Sequence, residues 1–197
     1  MKKRVKYHGG YSMKKFAVSI LALGMFMFLI AGMVVAEEGA NQYVGVKKCK
    51  TCHKAEAKGN QFGKWSEASH SKAFEVLASE AAIAIGTEKG IDNPQTSDQC
   101  LKCHVTAFAA AAEAKAESFD QTEGVGCEAC HGAGSGYKKM KIMKDHDAAV
   151  AAGLTVITEE TCTGCHNEES PTFKEFNFEE AKAAIAHPNP KKAEAAE

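Results

Sequence analysis

The sequence has no cysteine to spare. All eight lie in four five-residue boxes: Cys49-Lys50-Thr51-Cys52-His53, Cys100-Leu101-Lys102-Cys103-His104, Cys127-Glu128-Ala129-Cys130-His131 and Cys162-Thr163-Gly164-Cys165-His166. A disulfide framework gives no reason to set every cysteine in one identical box, so the lack of any other cysteine argues against it. A zinc ribbon wants its C-x-x-C halves closer together than most of these, and would not place histidine after every pair. The boxes also lack a fixed period, which excludes a solenoid. Histidines outside the boxes, methionines after residue 36 and long apolar runs are few too, and each shortage narrows the reading.

What is there is C-x-x-C-H four times, the attachment signature of c-type heme. Two thiols three residues apart on one turn can form thioethers to the two vinyl groups of one porphyrin. The next residue then sets an imidazole under the iron. The reading is four heme c groups, held by Cys49, Cys52, Cys100, Cys103, Cys127, Cys130, Cys162 and Cys165, with His53, His104, His131 and His166 as proximal ligands. Four macrocycles in about 160 residues must fill much of the core that side chains fill elsewhere. The expected fold is mainly α: short helices and long irregular loops wrapped around covalently bound hemes.

The one long apolar run, 16–35, follows Lys14 and Lys15 and ends at Val34-Val35-Ala36, ahead of Glu37-Glu38. This is the layout of a secretory signal, so residues 1–36 are read as a signal peptide and 37–197 as the tetraheme domain. The run is also long enough to span a bilayer, and an uncleaved inner-membrane anchor is the alternative. A start at Met13 would give a more ordinary leader. Export agrees with the boxes, because heme c is attached outside the bacterial cytoplasm, and the expected compartment is the periplasm. The leader has six basic residues and no acid, so the remainder carries 18 basic against 25 acidic residues, a net of −7. That balance disfavours nucleic acid and points to redox partner proteins met through basic patches. A membrane enters only if the leader is retained.

Along the chain, Trp65 to His70 is expected to open a helical stretch capped by Ser66 or Ser69, with Phe74, Val76 and Leu77 as its apolar face. The segment 81–91 reads as weakly helical, ending at Gly86 or Gly90. Ser97 or Asp98 should cap the second box. The Ala-rich segment 105–120 has helix propensity but no periodicity and reads as a surface excursion. Gly132, Gly134 and Gly136 allow close backbone approach after the third box. Residues 137–144 and 148–153 are helix-compatible. Thr158 should cap the fourth box, and Asn177 a last helix, 178–186, that stops at His187-Pro188.

Histidine is the limiting residue. Of eight, four are proximal and His8 lies in the leader, which leaves His70, His146 and His187 for four distal positions. At most three hemes can be bis-His. The fourth must be five-coordinate, water-ligated or bound by another side chain, and beyond the leader only Met140 and Met143 offer a thioether.

The chain resembles the cytochrome c-554 family of tetraheme cytochromes. The resemblance runs through the first box with Trp65 and His70 after it, Cys103-His104-Val105 with Phe108, and the stretch Gly124-Val125-Gly126-Cys127-Glu128-Ala129-Cys130-His131-Gly132. Ala133 stands where the family usually has proline. It continues through Asp145-His146, Ser170-Pro171, Phe176-x-Phe178-Glu179-Glu180 and His187. It implies three bis-His hemes and one five-coordinate heme, the latter on His104. His146 would serve the first heme, His187 the third and His70 the fourth. The chain is shorter after the fourth box than the family type.

Two functions follow. The first is a periplasmic carrier of single electrons between redox partners. The alternative is a reductase of a small nitrogen oxide, nitric oxide, at the five-coordinate heme. The sequence offers no catalytic side chain for the second, and the carrier is the preferred expectation.

Overall fold

A computed structural model describes residues 39–190. Residues 1–38 and 191–197 lie outside the described residues, and with them the expectations of a signal peptide or anchor at 1–36. Apart from Gly39, the described residues fall in one compact unit that begins at Ala40. Among them there is no strand, and no helix is long and apolar enough to cross a membrane.

The architecture is mainly helical. Its α-helices are α1 (Val46–His53), α2 (Gln61–Glu67), α3 (Glu80–Glu88), α4 (Asp98–His104), α5 (Cys127–His131), α6 (Met140–Met143), α7 (His146–Ala151), α8 (Glu159–Thr163) and α9 (Phe178–Ile185). Short 3-10 turns and loops join them. Local capping explains several boundaries. Thr158 and Thr161 close a reciprocal capping box on α8. Asn177 accepts from the backbone N–H of Glu180 (3.2 Å) at the start of α9, and Glu179 and Glu180 fill that helix's first turn, where its dipole favours them. Ser79 caps α3 through Ala82 N–H (3.2 Å), as an Ala-rich run after serine should allow.

Two expectations are revised. Trp65 does not open a helix. It lies near the end of α2, which starts at Gln61 because Asn60, in a left-handed conformation (φ 41°), accepts from Gly63 N–H at 3.0 Å. Ser69–Lys72 and Glu75–Ala78 follow as separate 3-10 turns. The segment 105–120 is also not wholly a surface excursion. Val105 and Thr106 are buried. Farther on, Tyr43 N–H donates to the Ala114 carbonyl (2.8 Å) and Ala116 N–H to the Tyr43 carbonyl (2.9 Å), an isolated parallel bridge between Tyr43 and Lys115.

The apolar core is small. Leu77, Leu101 and Val105 form one cluster, with Phe74, Cys100 and Phe108 packed against it. This nucleus sits directly on α4, so the second box is carried by the best-packed aliphatic contacts.

Candidate functional site: the four C-x-x-C-H boxes

The first three boxes lie in short helices, and the fourth begins in the last two residues of α8 and runs on into a turn, where His166 N–H still donates to the Cys162 carbonyl (2.9 Å). The segment 124–126 organises the approach to the third. Gly124 has φ 75°, and a Cβ there would stand 2.8 Å from the His70 carbonyl, so only glycine lets the two backbones meet. Val125 N–H then donates to that same carbonyl (3.0 Å), and Trp65 Nε1 donates to the Val125 carbonyl (2.9 Å). The Thr106 hydroxyl donates to the Gly124 carbonyl (3.0 Å) and accepts from Gly126 N–H (2.7 Å). Trp65, His70, Thr106 and the start of α5 are thereby tied into one node.

The boxes face one another in pairs. The Cys49 and Cys127 thiols lie close enough to perturb each other's ionisation, and so do those of Cys103 and Cys165. Cys130 lies close enough to Cys162 for their charges to interact. None of the eight is in a disulfide. The neighbouring Cys127, then burial, push the Cys49 thiol up, whereas Cys49 draws the Cys127 thiol down. Burial, then Cys103, raises Cys165 to about 11. Burial chiefly raises Cys130 and Cys162.

Two of the three spare histidines meet box histidines. His70 lies with its ring centroid 6.0 Å from that of His166, and His187 lies 6.1 Å from His131, each pair inclined by 75°. Two imidazoles held in line by one metal, with metal–nitrogen bonds of about 2 Å on each side, have centroids roughly 6 Å apart. Burial, then the neighbouring His166, pulls the pKa of His70 down; burial, then His187 and His53, does the same for His131. Neutral imidazoles with free lone pairs are what iron requires. His187 Nδ1 is engaged by the Ile185 carbonyl (2.8 Å), His104 Nδ1 by the Ala73 carbonyl (2.6 Å) and His53 Nδ1 by Gln61 Oε1 (3.3 Å). In each case the opposite nitrogen, Nε2, is left for a metal. Phe176 stacks on His166 at 5.0 Å and 19°.

His146 is placed differently. It is exposed at the start of α7, where Asp145 caps the helix and Asp147 is its neighbour at 3.4 Å. Among the described residues no ring contact joins it to a box histidine. Met143 lines a cavity beside His131 and His187, whereas Met140 is 64% exposed.

A cavity of about 720 Å³ opens between the first and third boxes, with Cys49, His53, Cys127, Cys130 and His131 in its wall together with His70 and His187. Its volume falls within the roughly 300–1,000 Å³ of cofactor sites, and its donors are thiols and imidazoles. The residues present therefore fit a covalently attached heme.

One functional candidate was missed in sequence. Glu128, between the cysteines of the third box, is 4% exposed. A charged residue at a variable box position reads as surface. The signal that could have found it is the glycine at 45 and at 134, which leaves backbone N–H groups free to approach a carboxylate.

The family model "Cytochrome c554 and c-prime" matches residues 48–132. Cytochrome c-554 of Nitrosomonas europaea is 30% identical over 175 residues, covering 80% of this chain and 71% of that protein. The structure of reduced cytochrome c554 from the same organism aligns with a TM-score of 0.49 at 25% identity, covering 74% of this chain and 78% of that one.

Proposed function

Since the chain belongs to the cytochrome c554 family and is thereby a heme-binding electron-transport cytochrome, we propose that it carries single electrons between periplasmic redox partners through four heme c groups. Heme c supplies the one-electron couple when bound. The eight box cysteines fix the groups, and His53, His104, His131 and His166 orient them from one side. His70 would close the site on His166 and His187 the site on His131. The two 6 Å imidazole pairs are the observation that carries this reading. His146 is assigned to His53 on the family resemblance alone. The His104 site is left without a second histidine. Residues 1–36 act as the export signal, and 37–197 as the working domain.

Carbon monoxide titration of the reduced holoprotein tests the arrangement. Mass spectrometry should count four hemes, and a single equivalent of carbon monoxide should bind. Four low-spin hemes that take up none would remove the open site on His104, and uptake at several hemes would remove the bis-His pairs. Sustained turnover of nitric oxide with a reductant would replace the carrier by the reductase.

Partner docking should be electrostatic, given a net of −7 beyond the leader. Electron exchange with a basic redox partner should slow about tenfold or more between low and physiological ionic strength. Stopped-flow rates independent of salt would argue for an apolar interface instead.

A further inference from the structure

The Glu128 carboxylate is buried without a cation. Its Oε1 accepts from Val44 N–H (2.8 Å) and Gly134 N–H (2.7 Å), and its Oε2 from Gly45 N–H (2.8 Å) and, more weakly, Val44 N–H (3.0 Å). Among the described residues no lysine, arginine or histidine forms an ion pair with it. Three backbone donors converge from two separate segments, one leading into α1 and one leaving α5. Only an acceptor-only group satisfies them all. A glutamine would offer one oxygen and turn its NH₂ toward a backbone N–H. The clasp that sets the first box against the third therefore brings a negative charge into the interior. That charge acts on the neighbouring Cys49 and Cys127 thiols and on the Tyr137 phenol.

We infer that Glu128 is a positioning residue whose buried charge fixes the first box against the third and holds the reduction potentials of the two hemes attached there below the values their ligands alone would give. In a poorly screened interior, a nearby negative charge stabilises the ferric over the ferrous state, and net charge is among the levers that set heme potential. Two boxes share the effect because one carboxylate serves both. The inference rests on the proposal that these boxes carry heme.

Spectropotentiometric titration of the Glu128→Gln holoprotein is the test. Two of the four midpoints should rise while the other two hold, with the low-spin bands of the oxidised protein unchanged. Glu128→Asp keeps the charge, and its midpoints should lie nearer the native values than those of E128Q. Unchanged midpoints in E128Q, a uniform shift of all four, or identical behaviour of E128D and E128Q would each overturn the inference. If E128Q yields too little holoprotein, Gly134→Ala serves. A Cβ there would stand 2.9 Å from Oε1 and displace the carboxylate without removing its charge. It should move the same two midpoints by less, and no movement overturns the inference. Heme counting by mass keeps the outcomes distinct. A native protein lacking heme on the first or third box defeats the functional reading itself, whereas four hemes with insensitive potentials defeat only the role of Glu128.

Discussion

Replacing His70 by alanine is expected to turn one low-spin heme high-spin and to raise carbon monoxide uptake from one equivalent to two per chain. His70 is not a loosely held surface side chain. Its turn, Ser69–Lys72, is fastened from both sides: its carbonyl accepts from Val125 N–H at 3.0 Å, and the Ser71 hydroxyl reaches the Ser66 and Ala68 carbonyls at 3.0 and 2.8 Å. With the backbone fixed, the imidazole meets His166 at 6.0 Å, and its lowered pKa keeps it neutral. On the proposed ligation alanine would remove a ligand, while Phe176, stacked on His166, would keep the box imidazole in place. The remaining hemes should keep their spectra, since mutations act locally where no contact is shared. The heme that loses His70 should titrate at higher potential, because bis-His ligation favours low potentials. An unchanged spectrum and unchanged carbon monoxide stoichiometry in H70A would show that His70 does not close the site on His166. His187→Ala should behave the same way for the site on His131. His146→Ala is the instructive contrast, since only the family resemblance assigns that residue to His53.

The boxes were legible in sequence because their chemistry is local: five residues contain both thiols and the imidazole. The caps at Thr158 and Asn177 were legible for the same reason, since a cap and its N–H partners lie within one turn. Most of what stayed hidden depends on distant chain. The start of α2 is the exception: Asn60, left-handed and held by the Ala55 carbonyl (3.1 Å) and Glu56 Oε1 (2.6 Å), outcompetes the more conventional serine caps. The burial of Thr106 comes from its bonds to Gly124 and Gly126, and the pairing of 114–116 comes from Tyr43, some 70 residues upstream. Glu128 is the sharpest case, because its donors lie at 44, 45 and 134. A carboxylate at that spot looks like solvent-facing punctuation until the fold delivers three N–H groups to it. The histidine shortage, by contrast, is arithmetic on composition and needs no geometry.

The chain made without heme attachment should not hold this fold. Production where heme is not ligated, or with all eight box cysteines changed to alanine, should give a polypeptide with weak helical circular dichroism, no cooperative thermal transition and rapid proteolysis. The reason lies in what the side chains bury. Among residues 39–190 the buried apolar side chains are Val44, Val46, Leu77, Leu101, Val105, Tyr137 and Ala149, and only three of them form a cluster. The longest α-helix among the described residues, Glu80–Glu88, has nine residues, and helices below about 12–15 residues are marginal in water without tertiary support. A chain this size normally removes about two thirds of its surface from water, mostly through such contacts. Here the wall of a 720 Å³ cavity takes the place of a core, and covalent attachment at both cysteines of each box would add cross-links that the bare chain lacks. Anything that binds only the folded state stabilises it, and a covalently held group cannot be diluted away, so the holoprotein should melt cooperatively where the heme-free chain does not melt at all. A sharp thermal transition with native-like helicity in the cysteine-free chain would mean that the small cluster on α4 and the clasp at Glu128 suffice, and would move the source of stability from the cofactor to the polypeptide.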